Sequence, residues 1–251
     1  MQIANVNLQF AYENFQTRLQ EVKKYINFVK HLAETSSPSV VNESHINPNG
    51  YVDHPTLPSY PIDRDLQKTL RASTYLLLYN LMESTMSESI NAIHDTIKDE
   101  GHNILELSEK LHKVILQSFR KGLTEAKVGE YSKSNKDVRD SLLDLGYDKK
   151  RLFSGNIDCK IIKEFCEKYG IQLSPYRLND EALVWDPEVI WSIKKKRNAL
   201  AHGSESFSYC GQNMPVDIMT DNLQSVEAVL MGVFNGLNKF LTNQKYLRAP
   251  Q

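Results

Sequence analysis

Reactive side chains gather at close, regular spacing in one run, Lys194-Lys195-Lys196-Arg197-Asn198-Ala199-Leu200-Ala201-His202-Gly203. Arginine is a permanent cation whose paired N–H donors fit phosphate oxygens. Imidazole takes up and releases a proton near neutral pH. These are the groups needed to cleave RNA without a metal. A 2′-hydroxyl must lose a proton, the phosphorane must be stabilised, and the leaving 5′-oxygen must gain a proton. Arg197 would bind phosphate oxygens, His202 would make one proton transfer, and Asn198 would orient the imidazole or a hydroxyl. Lys194, Lys195 and Lys196 would attract the backbone. One histidine is short for two transfers. Two copies of the run meeting across a two-fold axis would supply two Arg–Asn–His sets, and an isologous dimer is the commonest assembly. A plainer alternative stays open: cations complement the negative end of a helix dipole, and His202 beside Gly203 caps the last carbonyls.

The run needs a helix to hold it. Asp186-Pro187 reads as an N-cap with proline at the first helical position, and Gly203 as the residue past the end. Val189, Ile190, Ile193, Leu200 and Ala201 form its expected buried stripe. At ~100° per residue, Asn198 and His202 share a face ~40° wide, while Arg197 lies ~140° from His202 and must reach round the helix edge.

Other helices must pack around that one. Residues 8–34 carry Phe15, Leu19, Val22, Ile26, Val29 and Ala33 at helical spacing. Residues 63–99 form the longest helical pattern, apolar on nearly all sides at 75–82, which marks a central helix. Asn80 and Glu83 interrupt it on a shared face. Glu83 either faces solvent or a groove edge, or meets a cation from another helix, for which Arg197 is a candidate. Gly101 ends that helix. Asn103 and Glu106 resemble a capping box for a helix running to Gly122, Asp158 caps another that ends at Gly170, and a last one spans 217–243. Gly232 and Gly236 within it suit close helix approach.

Between these lie a loop at 35–62 with five of the nine prolines (Pro38, Pro48, Pro55, Pro58, Pro61), a polar lysine-rich stretch at 123–157 with one short helix near 137–145, and a loop at 171–186. The 123–157 stretch reads as an insertion on the surface. No segment alternates as a strand would. The expectation is a single all-α domain over 1–251, a helical bundle with one long Pro-rich loop and one small insertion.

Composition bounds the rest. A formal net charge of −1 over 251 residues leaves no global basic field, so anion binding must be local. Three cysteines and no evident leader lead us to expect a reducing cytoplasm. The longest strongly apolar run, Tyr75–Tyr79, is too short for a membrane span. There is no Gly-rich phosphate loop, no close cysteine pair and no H-E-x-x-H, so neither cofactor nor metal is expected. His31, His94, His102 and His112 read as ordinary surface or packing residues. His45 and His54 sit in the Pro-rich loop with nothing to recommend a role.

Arg197-Asn198-Ala199-Leu200-Ala201-His202 also matches the shortest form of R-[N/D/H]-x(3–5)-H near the end of a bundle helix, and there the chain resembles the HEPN superfamily. Tyr75-Leu-Leu-Leu-Tyr-Asn80-Leu-Met-Glu83-Ser84-Thr85, Ser154-Gly155-Asn156-Ile157-Asp158 before a helix ending in Lys168-Tyr169-Gly170-Ile171, and Ser206-Phe207 after the motif extend the similarity to the MAE-like branch over roughly residues 10–245. The resemblance implies an α-helical homodimer with motif helices facing each other. It implies metal-independent endoribonuclease activity on RNA, often in antiphage defence or toxin–antitoxin systems, with an antitoxin or defence-system protein as a further partner. Arg197 and His202 would be the catalytic pair, Asn198 their polar support, and Glu83 and Asn80 auxiliary residues. HEPN toxins paired with nucleotidyltransferase antitoxins often carry a modified Tyr two positions after the His; Ser204 stands there instead. Some HEPN domains keep the fold without cleavage, so a non-catalytic nucleic-acid- or nucleotide-binding module is the alternative.

Overall fold

Seven α-helices occupy the described residues of the computed structural model, which are 1–35, 38–40, 60–123, 143, 153, 156–175, 177–178, 181–182 and 186–249. They are α1 (Val6–Glu34), α2 (Arg64–Asp99), α3 (Glu109–Leu123), α4 (Cys159–Tyr169), α5 (Pro187–Ala201), α6 (Phe207–Gln212) and α7 (Val216–Thr242). Local chemistry places most of their ends. The Asn5 side chain accepts from Leu8 N–H at 2.9 Å, Asp63 from Leu66 at 2.8 Å, Asp158 from Ile161 at 2.9 Å and Asp186 from Glu188 at 2.8 Å. Each cap satisfies a donor that the first helical turn cannot pair internally.

The expected stripe of α1 is buried from Phe15 through Leu19, Val22 and Ile26 to Val29, but Ala33 is exposed and Leu32 faces the core in its place. α2 is the central helix, packed against α1, α5, α6 and α7. Its middle, from Tyr75 to Met86, has no single dry face because neighbours cover it from several sides. α7 closes the core from α1: the Phe15 and Phe234 rings lie 5.3 Å apart, and Tyr12 meets Phe234 edge-on at 5.2 Å. Contacts of this kind add about 0.5–1.5 kcal/mol to simple area burial. Among the described residues, no helix is long and apolar enough to cross a membrane.

Several local expectations are corrected. The segment after Asn103 opens as a 3-10 turn, Ile104–Glu106, and the α-helix starts only at Glu109. The Asn103 side chain caps that turn at Leu105 N–H, 2.9 Å, so the capping signal was real but the helix it announced is broken. Two pairs of two-residue strands occur in stretches read as loop: β1 (Ser39–Val40) with β2 (Tyr60–Pro61), and β3 (Arg177–Leu178) with β4 (Glu181–Ala182), both antiparallel. Such short pairings carry no alternation to detect. The first, with Ile62 N–H bonded to Pro38 C=O at 2.9 Å, ties the two ends of the Pro-rich loop together.

Ala201 is exposed rather than inward; Ile218, at the start of α7, is also exposed, and His94 is a packing residue, buried on α2. Gly236 does permit a close approach, but to the backbone of Gln172, whose carbonyl oxygen would lie 2.5 Å from an added Cβ, and not to another helix. The helix expected near 137–145, His45, His54 and nearly all of 123–157 lie outside the described residues. Leu143 and Phe153, which are described, are buried in the core.

Candidate active site at the end of α5

α5 ends in a tight turn. Gly203 adopts φ 71°, where a side chain would be strained. Gly203 N–H then reaches Leu200 C=O at 3.3 Å and Ser204 N–H reaches Ala199 C=O at 3.0 Å, the two bonds of a Schellman motif. The helix's last carbonyls are therefore satisfied by backbone. The His202 side chain is exposed and has no hydrogen-bond or ion-pair partner among the described residues. His202 is the C-cap residue, as the plainer reading has it, but through its backbone N–H on Asn198 C=O at 3.0 Å; its imidazole takes no part in the cap.

Arg197 points the other way, onto α2. Its guanidinium stacks on the Tyr79 ring, 4.2 Å from the centroid. Nη1 donates to Asn198 Oδ1 at 3.0 Å, and Nη2 lies 3.9 Å from Glu83 Oε2. Of the two alternatives for Glu83, the meeting with Arg197 is the one observed, as a loose pair between half-buried side chains. Tyr79 is itself fixed, since its hydroxyl accepts from Ile157 N–H at 3.0 Å, and burial pushes its phenol above the usual range. Stacking and two polar neighbours hold the cation while leaving most of its five donors available. Asn198 orients Arg197 here, rather than the imidazole. Asn80, one turn before Glu83 on α2, is exposed. No hydrogen bond or ion pair joins Arg197 to His202 within one protomer.

The three lysines differ from one another. Lys194 donates to Asp158, the cap of α4. Burial alone would raise the Asp158 carboxyl, but hydrogen bonds from Lys194 and Ile161 N–H hold it below the usual carboxylate range. Lys196 donates to both Glu205 oxygens, at 2.7 and 3.0 Å, and that bond raises its ammonium above the usual value. Lys195 has no carboxylate partner among the described residues; its Nζ lies 5.0 Å above the Trp191 ring. Of the three charges expected to draw in nucleic acid, two are already neutralised by neighbouring elements.

Sequence reasoning passed over Tyr79 and Glu205. Tyr79 lay in a run that reads only as apolar, and its one distinguishing mark is a hydroxyl in a helix needing none. Glu205 stands nine positions after Lys196, beyond any helical pairing rule. Among the described residues, no group of three or more histidine, cysteine, aspartate or glutamate side chains is arranged to hold a metal ion. All three cysteines are free and buried, and burial pushes the thiols of Cys159 and Cys166 up to about 11 and about 12. They are packing residues, not nucleophiles.

Neither the curated proteins nor the solved structures contain a match to this chain. The family described as MAE_28990-like HEPN matches residues 11–246, from the second turn of α1 to just past α7. An all-α bundle among the described residues agrees with that match. The chain belongs to the HEPN superfamily, in its MAE-like branch.

Proposed function

We propose that the protein is a metal-independent endoribonuclease whose active site is completed by a second copy. The observation that supports this best is the division of labour at the end of α5. Arg197 is clamped on Tyr79, Asn198 and Glu83, while the His202 side chain is exposed and, among the described residues, unpartnered on the same helix end. A clamped guanidinium with spare donors suits a phosphorane, because it needs little reorganisation as charge develops. A free imidazole suits proton transfer.

In this reading one imidazole takes the 2′-hydroxyl proton and O2′ attacks phosphorus. The P–O5′ bond breaks, and the partner's imidazole, entering as imidazolium, protonates O5′. The products are a 2′,3′-cyclic phosphate and a 5′-hydroxyl end. Asn80 and Glu83 would line the α2 side, with Lys195 left to attract the backbone. Kinship with HEPN nucleases favours a role in antiphage defence or as a toxin held by a partner protein. A non-catalytic binding module would draw on the same basic run, and the pairing of Lys194 and Lys196 takes two charges from it.

The test is cleavage of RNA in excess chelator by wild type, Arg197→Ala and His202→Ala. Loss of activity in both variants, with cyclic-phosphate ends from the wild type, is expected. Equal cleavage by all three, or 3′-hydroxyl ends, would refute the mechanism. Light scattering should give about twice the 28.8 kDa chain mass at micromolar concentration. A monomer that cleaves would refute the shared site.

A further inference from the structure

A second feature of α5 lies toward its other end. A groove of about 810 Å³ runs between the first turns of α5 and α7. Its apolar wall is Val189, Trp191 and Ile218, and the last two are unusually open for their type, at 51 % and 44 % exposure. Glu188 and Asp221 stand exposed at its rim, with Asp186 beside them. Among the described residues, no arginine or lysine lines it. Asn222 also lines the groove although it is 94 % buried, and its amide makes no hydrogen bond among the described residues. The amide is open to the groove, so a ligand seated there finds both a carbonyl acceptor and an N–H donor to bond.

We infer that this groove docks an arginine-bearing, otherwise apolar segment of a partner protein. A guanidinium is flat and stacks on indole, and its five donors match carboxylates and an amide oxygen. The Trp191 ring already has the Lys195 ammonium over it, which shows that the ring accepts a cation. Three carboxylates against that one ammonium keep the groove negative, which disfavours any phosphate there. Val189 and Ile218 give the groove an apolar strip that a bare polyamine would leave wet and that flanking leucines or valines would cover. The groove shares α5 with Arg197 and His202, so a partner seated there lies along the same helix as the proposed nuclease site. Docking itself does not depend on RNA cleavage.

The probe is the peptide acetyl-Leu-Arg-Leu-Arg-Leu-amide, with a twin in which citrulline replaces arginine. The chain has two tryptophans, so Trp185→Phe in the full-length protein leaves Trp191 as the sole reporter. Calorimetry on the unmodified protein guards against a folding defect in that variant. The arginine peptide should change Trp191 fluorescence saturably and bind about tenfold more tightly than the citrulline twin. Asp221→Asn and Glu188→Gln should each weaken it several-fold, and His202→Ala should leave it unchanged. Guanosine 5′-monophosphate and single-stranded RNA should not compete. Equal binding of the twins, no binding at millimolar peptide, or preferential occupation by nucleotide or RNA would overturn the inference. Failure here would leave the chelator assay for RNA cleavage untouched, and the reverse also holds.

Discussion

Lowering the pH should destabilise the bundle through His94. This side chain sits on α2 at 4 % exposure, with Nε2 3.0 Å from the Tyr169 hydroxyl and the two rings edge to face at 5.9 Å. Burial, helped by the nearby Lys98 charge, pushes its pKa down to about 3. In the unfolded chain the value returns to ~6.5. Between those values the unfolded state binds the extra proton, so stability is full above about pH 6.5 and falls as pH drops toward 3. At pH 5 the unfolded chain gains about 1.5 pKa units of protonation, which is about 2 kcal/mol lost relative to pH 8. Urea unfolding at pH 8 and pH 5 measures this, with His94→Gln as the control that cannot titrate. Wild type should lose about 2 kcal/mol more than the variant over that interval. Equal losses would refute a neutral, buried His94.

Three further outcomes follow from the geometry. Tyr79→Phe should keep the stack under Arg197 and lose only the Ile157 hydrogen bond, about 1 kcal/mol of stability. Tyr79→Leu should lower kcat of RNA cleavage about fivefold, the equivalent of a cation–π contact, with less change in KM; identical kinetics for both variants would contradict a positioning role. Gly211→Ala should destabilise by at least about 1–3 kcal/mol, because its Cβ would lie 1.8 Å from the Lys68 carbonyl oxygen where α6 meets α2; an unchanged melting temperature would contradict this close approach. Asp158→Ala should cost about 1–2 kcal/mol by removing both the α4 cap and the tie to Lys194. A double-mutant cycle with Lys194→Ala separates the two parts, and zero coupling would show that the pair contributes nothing.

The site was half legible. Arg197, Asn198 and His202 stand out by type and spacing, and the turn at Gly203 follows from a residue that tolerates φ of 71°. The meeting of Glu83 with Arg197 was an open alternative, because side-chain direction on an apolar helix does not follow from its own sequence. The neutralised lysines were not legible at all. Asp158 and Glu205 reach them from α4 and from the turn after α5, at separations no local rule covers. The short helix α6 was missed because six residues carry too little periodicity, and its Gly211 works against a helical reading until Lys68 is seen against it.

By itself the sequence determined most helix ends, most of the stripe of α1 and the central place of α2, and it singled out Arg197, Asn198 and His202 as candidates. Capping, glycine turns and the 3.6-residue period act over a few neighbouring positions, so they can be read from neighbours. Only the tertiary structure decided that Tyr79 lies under Arg197, that Asn198 holds the arginine, that Asp158 and Glu205 take up Lys194 and Lys196, and that Asn222 lines an acidic groove. Those outcomes depend on how helices distant in sequence are rotated and spaced against one another, which is settled when the whole core packs at once.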